Sequence, residues 1–359
     1  MAPPRRRASS LRTQAGLGAL GLAILGVLIW RSNPREVWES LGEASAGAIG
    51  AAVLLNIPAT LLRAARARRV LLCLGSAVPM RRMVPVQLAG QTLSWLTPAA
   101  SGDLSRAWFW HRQDRVPLTD GVVTVLYERV YSLLLLAVVG AACLAPGAFG
   151  PVGSLITVAV VALAAMLPWL TATTAVGRAT GRLVVGGVAR LPGLRSRRAV
   201  VARSGRDLST LFASRRLGAE FTLLTLGVLM VSGLQVLLLV DTLGASVGLG
   251  VAIAVYGLSQ AGGSVSSLPF GIGVGDAIVV GLLTARGMSF DSATAVAVLL
   301  RATVTLPIAA AAVVVAPLLV WRAEIPAVEV QAVAVEIPRT AVDPAVAARS
   351  DAATPVAAR

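Results

Sequence analysis

Residues Met83–Val130 read MVPVQLAGQTLSWLTPAASGDLSRAWFWHRQDRVPLTDGVVTVLYERV, and the reading of this stretch decides the fold. It opens with twenty uncharged residues, Met83 to Gly102. A plain membrane span would run through them unbroken. Instead Leu96-Thr97-Pro98-Ala99-Ala100-Ser101-Gly102 places turn chemistry inside the run. Asp103, Arg106, Trp108, Trp110, His111 and Arg112 follow at once, and Glu128 and Arg129 later interrupt an apolar helix. The stretch predicts a helical hairpin, about Met83 to Pro117, that enters the membrane and turns back. A spanning helix, about Leu118 to Cys143, follows with a buried ion-pair candidate. Broken backbone survives at membrane depth only where protein buries it or a wet cavity meets it. The stretch therefore implies a cavity, and a cavity implies a ligand.

The composition agrees with a membrane setting: 56% hydrophobic residues, 14% charged and a mean hydropathy of +0.78. The net charge of +15 rests on arginine, with no lysine in the chain. These arginines cluster between apolar runs, which points to membrane topology and anionic headgroups. Aromatic interleaving of the kind that stacks bases is absent, so nucleic acid is not expected. Cys73 and Cys143 show neither a disulfide framework nor metal spacing, and a single histidine argues against zinc. No cofactor and no metal are expected.

The remaining chain reads as a polytopic, all-α helical bundle. Residues 1–13 form a basic cytoplasmic N-terminus, 14–321 the transmembrane domain, and 322–359 a disordered cytoplasmic tail. The first apolar run, Gln14 to Trp30, resembles a signal peptide, but no small-x-small cleavage site follows, so it reads as an uncleaved span. Further spans are expected at about Ala44–Leu62, Val152–Thr171, Phe221–Val240 and Ser292–Trp321. The Arg63–Arg82 connection carries six arginines and no acid, and Ala172–Gly218 carries ten arginines against Asp207. The positive-inside rule puts both in the cytoplasm with both termini. Within the second, Leu183, Val184, Val188, Leu191 and Leu194 fit an interfacial helix or a solvated loop equally well. Six spans with re-entrant hairpins and eight full spans satisfy the charges alike.

A second broken segment, Leu249 to Thr284, repeats the first. Pro98 and Gly102 are matched by Pro269 and Gly273. Pro98 precedes Arg129 by 31 residues and Pro269 precedes Arg301 by 32; Asp120 and Asp291 sit nine and ten residues before those arginines. The topology makes the second unit enter from the opposite side, an inverted repeat that would set a site at the membrane midplane.

Arg129 and Arg301 each fall near the bilayer centre, where an arginine costs about 2.5–3.5 kcal/mol even on the lenient scale. Both must face a partner or water, and Glu128, Asp103 and Asp276 are the candidate partners. A structural ion pair locking the halves is one reading; an anion site for a lipid phosphate is the other, since guanidinium stays charged and binds phosphate bidentately. Helices starting at Pro98–Gly102 and Pro269–Gly275 would add N–H groups that favour an anion, with Gly271 and Gly273 keeping side chains clear. Asp103 and Arg106 stand one turn apart and can pair locally. Trp108, Trp110 and His111 read as interfacial anchors, and Pro58 as a kink.

These motifs resemble the transmembrane region of lysylphosphatidylglycerol synthases, flippase-like integral membrane proteins, over roughly Ala15 to Trp321. One signature is Thr97-Pro98 with Gly102-Asp103 and Arg106, followed by Glu128-Arg129. The other is Leu268-Pro269 with Gly271, Gly273 and Asp276, followed by Arg301; the family usually has Glu where this chain has Asp276. About forty residues follow Trp321, too few for the C-terminal synthase domain, so the resemblance implies lipid movement rather than aminoacyl-lipid synthesis. The expected function is a non-enzymatic flippase or transporter that moves an anionic or aminoacylated phospholipid, or a lipid-linked headgroup, between leaflets of the cell membrane. Expected partners are membrane lipids, with a homo-oligomer left open. The alternatives are a membrane scaffold or regulatory subunit without transport, and a membrane-embedded transferase acting on a lipid-linked substrate.

Overall fold

The computed structural model describes residues 26–27, 31, 34–97, 102–173, 207–208, 210–266, 268 and 271–322. The basic N-terminus, all of the expected first span except Gly26 and Val27, the Leu183–Leu194 segment, and Pro98 and Pro269 lie outside those residues. The chain divides into two units, Met1–Ala323 and Glu324–Arg359. Every described element belongs to the first, and the expected disordered tail from Glu324 lies outside the described residues.

All regular elements among the described residues are helical. In chain order they are α1 (Pro34–Glu43), α2 (Ala46–Leu54), α3 (Asn56–Cys73), α4 (Met80–Leu96), α5 (Leu104–Asp114) and α6 (Leu118–Ala142). Then follow α7 (Ala145–Thr173), α8 (Arg215–Asp241), α9 (Leu249–Val265), α10 (Val274–Thr284) and α11 (Phe290–Leu300). A π-helical turn, Arg301–Thr305, joins α11 to α12 (Leu306–Arg322). Four helical stretches are long and apolar enough to cross a membrane: Ala46–Cys73, α6, α8 and Phe290–Pro317.

Both broken segments are helical hairpins, and they share one plan. α4 and α9 each have 17 residues; the returning helices α5 and α10 each have 11. An 11-residue helix rises about 16 Å, roughly half of the hydrocarbon core. In the first tip, Thr97 Oγ1 donates to the Leu93 carbonyl at 2.8 Å and accepts the Gly102 N–H at 2.6 Å. A Cβ on Gly102 would lie 2.2 Å from the Leu93 carbonyl carbon and oxygen, so only glycine closes this turn. In the second tip, Gly271 and Gly273 adopt φ of +61° and +92°, which L side chains avoid.

The packing interleaves the two hairpins. α3 and α8 lie side by side, with α4 against α3 and α9 against α8. α5 returns along α6, and α10 along α11. The first helix of each hairpin also packs on the late span of the other unit: α4 on α12, and α9 on α6. Tyr127 and Tyr131 of α6 meet Phe221 of α8 edge to face, at 5.2 and 5.0 Å between ring centres, locking these two spans in the core.

Several boundaries differ from expectation. The span expected at Ala44–Leu62 continues as helix to Cys73, so Arg63, Arg66, Arg68 and Arg69 stand on α3 rather than in a loop. The connection between the expected spans Leu118–Cys143 and Val152–Thr171 is helical from Ala145, with the bend confined to Gly150 (φ 56°, ψ −133°). Trp110 is fully buried against Arg106 rather than anchored at an interface, whereas Trp108 is exposed. A helix face is set by packing, and composition alone could not assign Trp110 to the inward side.

Prolines explain two irregularities. Pro58 has no N–H for the Leu54 carbonyl, and the long first helix breaks at Leu55. Pro307 likewise has none for the Thr303 carbonyl, where the helix widens into the π turn. The Asn56 side-chain amide takes the place of that missing donor, reaching the Thr303 carbonyl at 2.7 Å. Gln235 of α8 completes the network, donating to Asn56 Oδ1 at 3.1 Å and to the Ala52 carbonyl at 2.9 Å.

Candidate functional site

The two hairpin tips meet at a cavity of about 220 Å³. At about 30 Å³ per water, that is room for a handful of waters or a small polar headgroup. Its charged lining residues are Arg63, Arg66, Asp103, Arg129, Asp276 and Arg301. They come from α3, from both hairpins and from the spans that follow them.

Asp103 immediately precedes α5, and Arg129 Nη1 donates to its Oδ2 at 2.8 Å. Asp276 lies in the first turn of α10. It accepts Arg301 Nε at 3.0 Å, Arg301 Nη2 at 3.1 Å and the Gly273 N–H at 3.0 Å. Each hairpin thus offers a carboxylate at the start of its returning helix, and the next span answers with an arginine. A carboxylate is favoured there by the N-terminal helix dipole. The π turn begins at Arg301, a helix irregularity of a kind often found at functional sites.

Glu128 and Arg106 stand behind the cavity wall. Arg106 Nη1 donates to Glu128 Oε2 and to Gln87 Oε1, both at 2.8 Å. Arg66 Nε reaches Glu128 Oε1 at 3.4 Å, and its Nη1 donates to Thr225 Oγ1 at 3.2 Å. Glu128 therefore pairs with Arg106 and Arg66, not with its neighbour Arg129. Successive helix residues point in different directions, so that outcome follows from geometry. The local Asp103–Arg106 contact is longer, at 3.6 Å, than the Asp103–Arg129 bond.

The pairs lie within each hairpin-and-span unit. A polar tie across the units comes from Arg63, which sequence reasoning placed among topology charges. Its Nη2 donates to the Tyr256 hydroxyl on α9 at 2.7 Å. A helical signal for Arg63 did exist. Asn56, Ala59, Thr60, Arg63, Ala64, Ala67, Val70 and Leu71 are the buried residues of α3 and recur at helical spacing, so Arg63 shares a face with small and apolar side chains. Of the expected hairpin-turn residues, Gly102, Gly271 and Gly273 form the tips described above, while Pro98 and Pro269 lie outside the described residues. The arrangement is suited to holding an anion in a partly dry chamber.

Residues 18–325 match the protein family described as the lysylphosphatidylglycerol synthase TM region. The chain belongs to that family and is a multi-pass membrane protein. It is also similar to the glycosyltransferase AglD of Haloferax volcanii, 30% identical over 121 residues, or 34% of this chain and 19% of the relative. The chain thus spans about a fifth of that curated relative's length.

Proposed function

We propose that this chain carries an anionic or aminoacylated phospholipid, or a lipid-linked headgroup, from one leaflet to the other. One observation carries the reading: four arginines and two aspartates from both hairpin units line one cavity among membrane-crossing helices. A buried cationic chamber has little use in a passive scaffold, and an arginine at membrane depth is costly unless it serves a ligand or partner. The carboxylates present are engaged by arginine, which suits binding rather than proton abstraction; transport without catalysis is the proposed activity.

The interleaved packing supports alternating access. The first helix of each hairpin leans on the other unit's span, so movement of one hairpin tip is felt by both halves. A crossing by α7 would turn the second unit over relative to the first, as in transporters built from inverted repeats. Basic segments at the cytoplasmic side would then hold both termini inside.

The test is reconstitution in liposomes with a labelled anionic phospholipid, following its exposure in the outer leaflet. The wild-type protein should equilibrate the label between leaflets. Arg129→Ala and Arg301→Ala should each slow this at least tenfold. Undiminished movement in both variants would remove the cavity from the mechanism.

A further inference from the structure

Most charges around the cavity have partners within the protein. Asp103 is held by Arg129, Asp276 by Arg301, and Glu128 by Arg106 and Arg66. Arg63 is the exception. It is 8% exposed, it lines the cavity, and among the described residues no carboxylate lies within 4.0 Å of it. Nη2 is used on a neutral tyrosine hydroxyl, and Nη1 is buried without a hydrogen-bond partner. A buried guanidinium with an idle N–H and no counter-ion is expensive, and a fixed anion is what relieves it.

The charge count around the chamber sharpens this. The lining has four arginines against two aspartates, and the Arg106–Glu128 pair behind the wall adds nothing net. Two positive charges are left for an occupant. A phosphate diester brings one negative charge. A phosphate monoester, with a second ionisation near pH 6, brings about 1.5 to 2 at neutral pH. Two further groups suit its oxygens. Accepting from Arg63 leaves the Tyr256 hydroxyl hydrogen free to donate, and the Ser132 hydroxyl on the cavity wall is also buried without a partner.

We infer that Arg63, with Tyr256, is the anion receptor of the chamber, and that the lipid it selects ends in a dianionic phosphate monoester rather than a monoanionic diester. This rests on the lipid-transport reading and names the substrate class within it. It also gives the ligand a mechanical role. Arg63 ties α3 to α9 through Tyr256, so an anion on Nη1 loads the junction between the first unit and the second hairpin.

The experiment is native mass spectrometry of the purified full chain in detergent with three probes: phosphatidic acid, phosphatidylglycerol of the same acyl chains, and inorganic phosphate. Wild type should retain phosphatidic acid at least tenfold more tightly than phosphatidylglycerol. Inorganic phosphate in excess should compete if the headgroup alone is recognised, and should fail if the acyl chains are needed; the monoester preference decides the inference either way. Arg63→Gln should lower phosphatidic acid to the phosphatidylglycerol level, with Arg63→Lys intermediate. Equal retention of the two lipids by wild type would overturn the inference, and so would an undiminished preference in a folded Arg63→Gln protein. Binding is read without transport, so a wild-type protein that lacks the preference while leaflet exchange is intact sinks this inference alone.

Discussion

Arg301 meets Asp276 through two nitrogens, Nε at 3.0 Å and Nη2 at 3.1 Å, while the same carboxylate takes the Gly273 N–H. Three bonds fix the start of α10, the entry of the π turn and the second hairpin tip relative to one another. The carboxylate is 4% exposed. Asp276→Asn keeps the shape but loses the charge-assisted bonds, each of which contributes about 1.5–3 kcal/mol. A loss within that range is expected, because Arg301 faces the cavity and water recovers part of the difference. Thermal unfolding in detergent, monitored by circular dichroism, checks it; an unchanged midpoint refutes it.

Glu128 holds two guanidiniums, Arg106 at 2.8 Å and Arg66 at 3.4 Å, and its side chain is 3% exposed. Glu128→Gln leaves both cations buried with a neutral partner. The expected cost is about 3–5 kcal/mol, the range for breaking a buried pair from one side. Removing Arg106 as well should cost less than the two single changes together, because the second change relieves the first. A double-mutant cycle on unfolding free energies measures this, and strict additivity would speak against the pairing.

The π turn supplies a third case. Asn56 covers the Thr303 carbonyl that Pro307 leaves without a helical N–H. Asn56→Ala should cost about 1–3 kcal/mol by orphaning that carbonyl. In a Pro307→Ala background the helix can supply its own N–H, so the same change should cost less. An equal loss in both backgrounds would show that Asn56 acts through Gln235 alone.

Glycines divide by surroundings. Gly102→Ala would drive a methyl onto the Leu93 backbone, and Gly271→Ala would sit at φ +61°, facing the Gly263 backbone at 3.2 Å. Each should lower stability by at least about 1–2 kcal/mol, the cost of a left-handed or clashing residue. Gly50→Ala, on an exposed face of α2 with open space around it, should raise stability by up to about 1 kcal/mol. The three melting midpoints, compared side by side, test the turn geometry directly.

Local chemistry was enough for a good deal of this protein. Hydropathy made it a membrane protein, because some twenty apolar residues have few other places to go. The glycines at 102, 271 and 273, with the prolines nearby in sequence, marked where helices stop, because a missing N–H or a positive φ is a property of the residue itself. The helix ends at Leu96 and Val265 and the restarts at Leu104 and Val274 follow from it.

Charge partners were another matter. Arg63 and Arg66 looked the same in sequence as Arg68 and Arg69, and a rule based on counting assigned all four to a cytoplasmic connection. Packing sent the first two inward, to Tyr256, Thr225 and Glu128, which lie 193, 159 and 62 residues away. Glu128 and Arg129, adjacent in the chain, were parted onto different partners. The sequence by itself determined the helical class and the two hairpin tips, since these depend on neighbours within a turn or two. Only the tertiary structure decided which charges share a cavity, since the energy of a buried ion depends on what is brought beside it from distant helices.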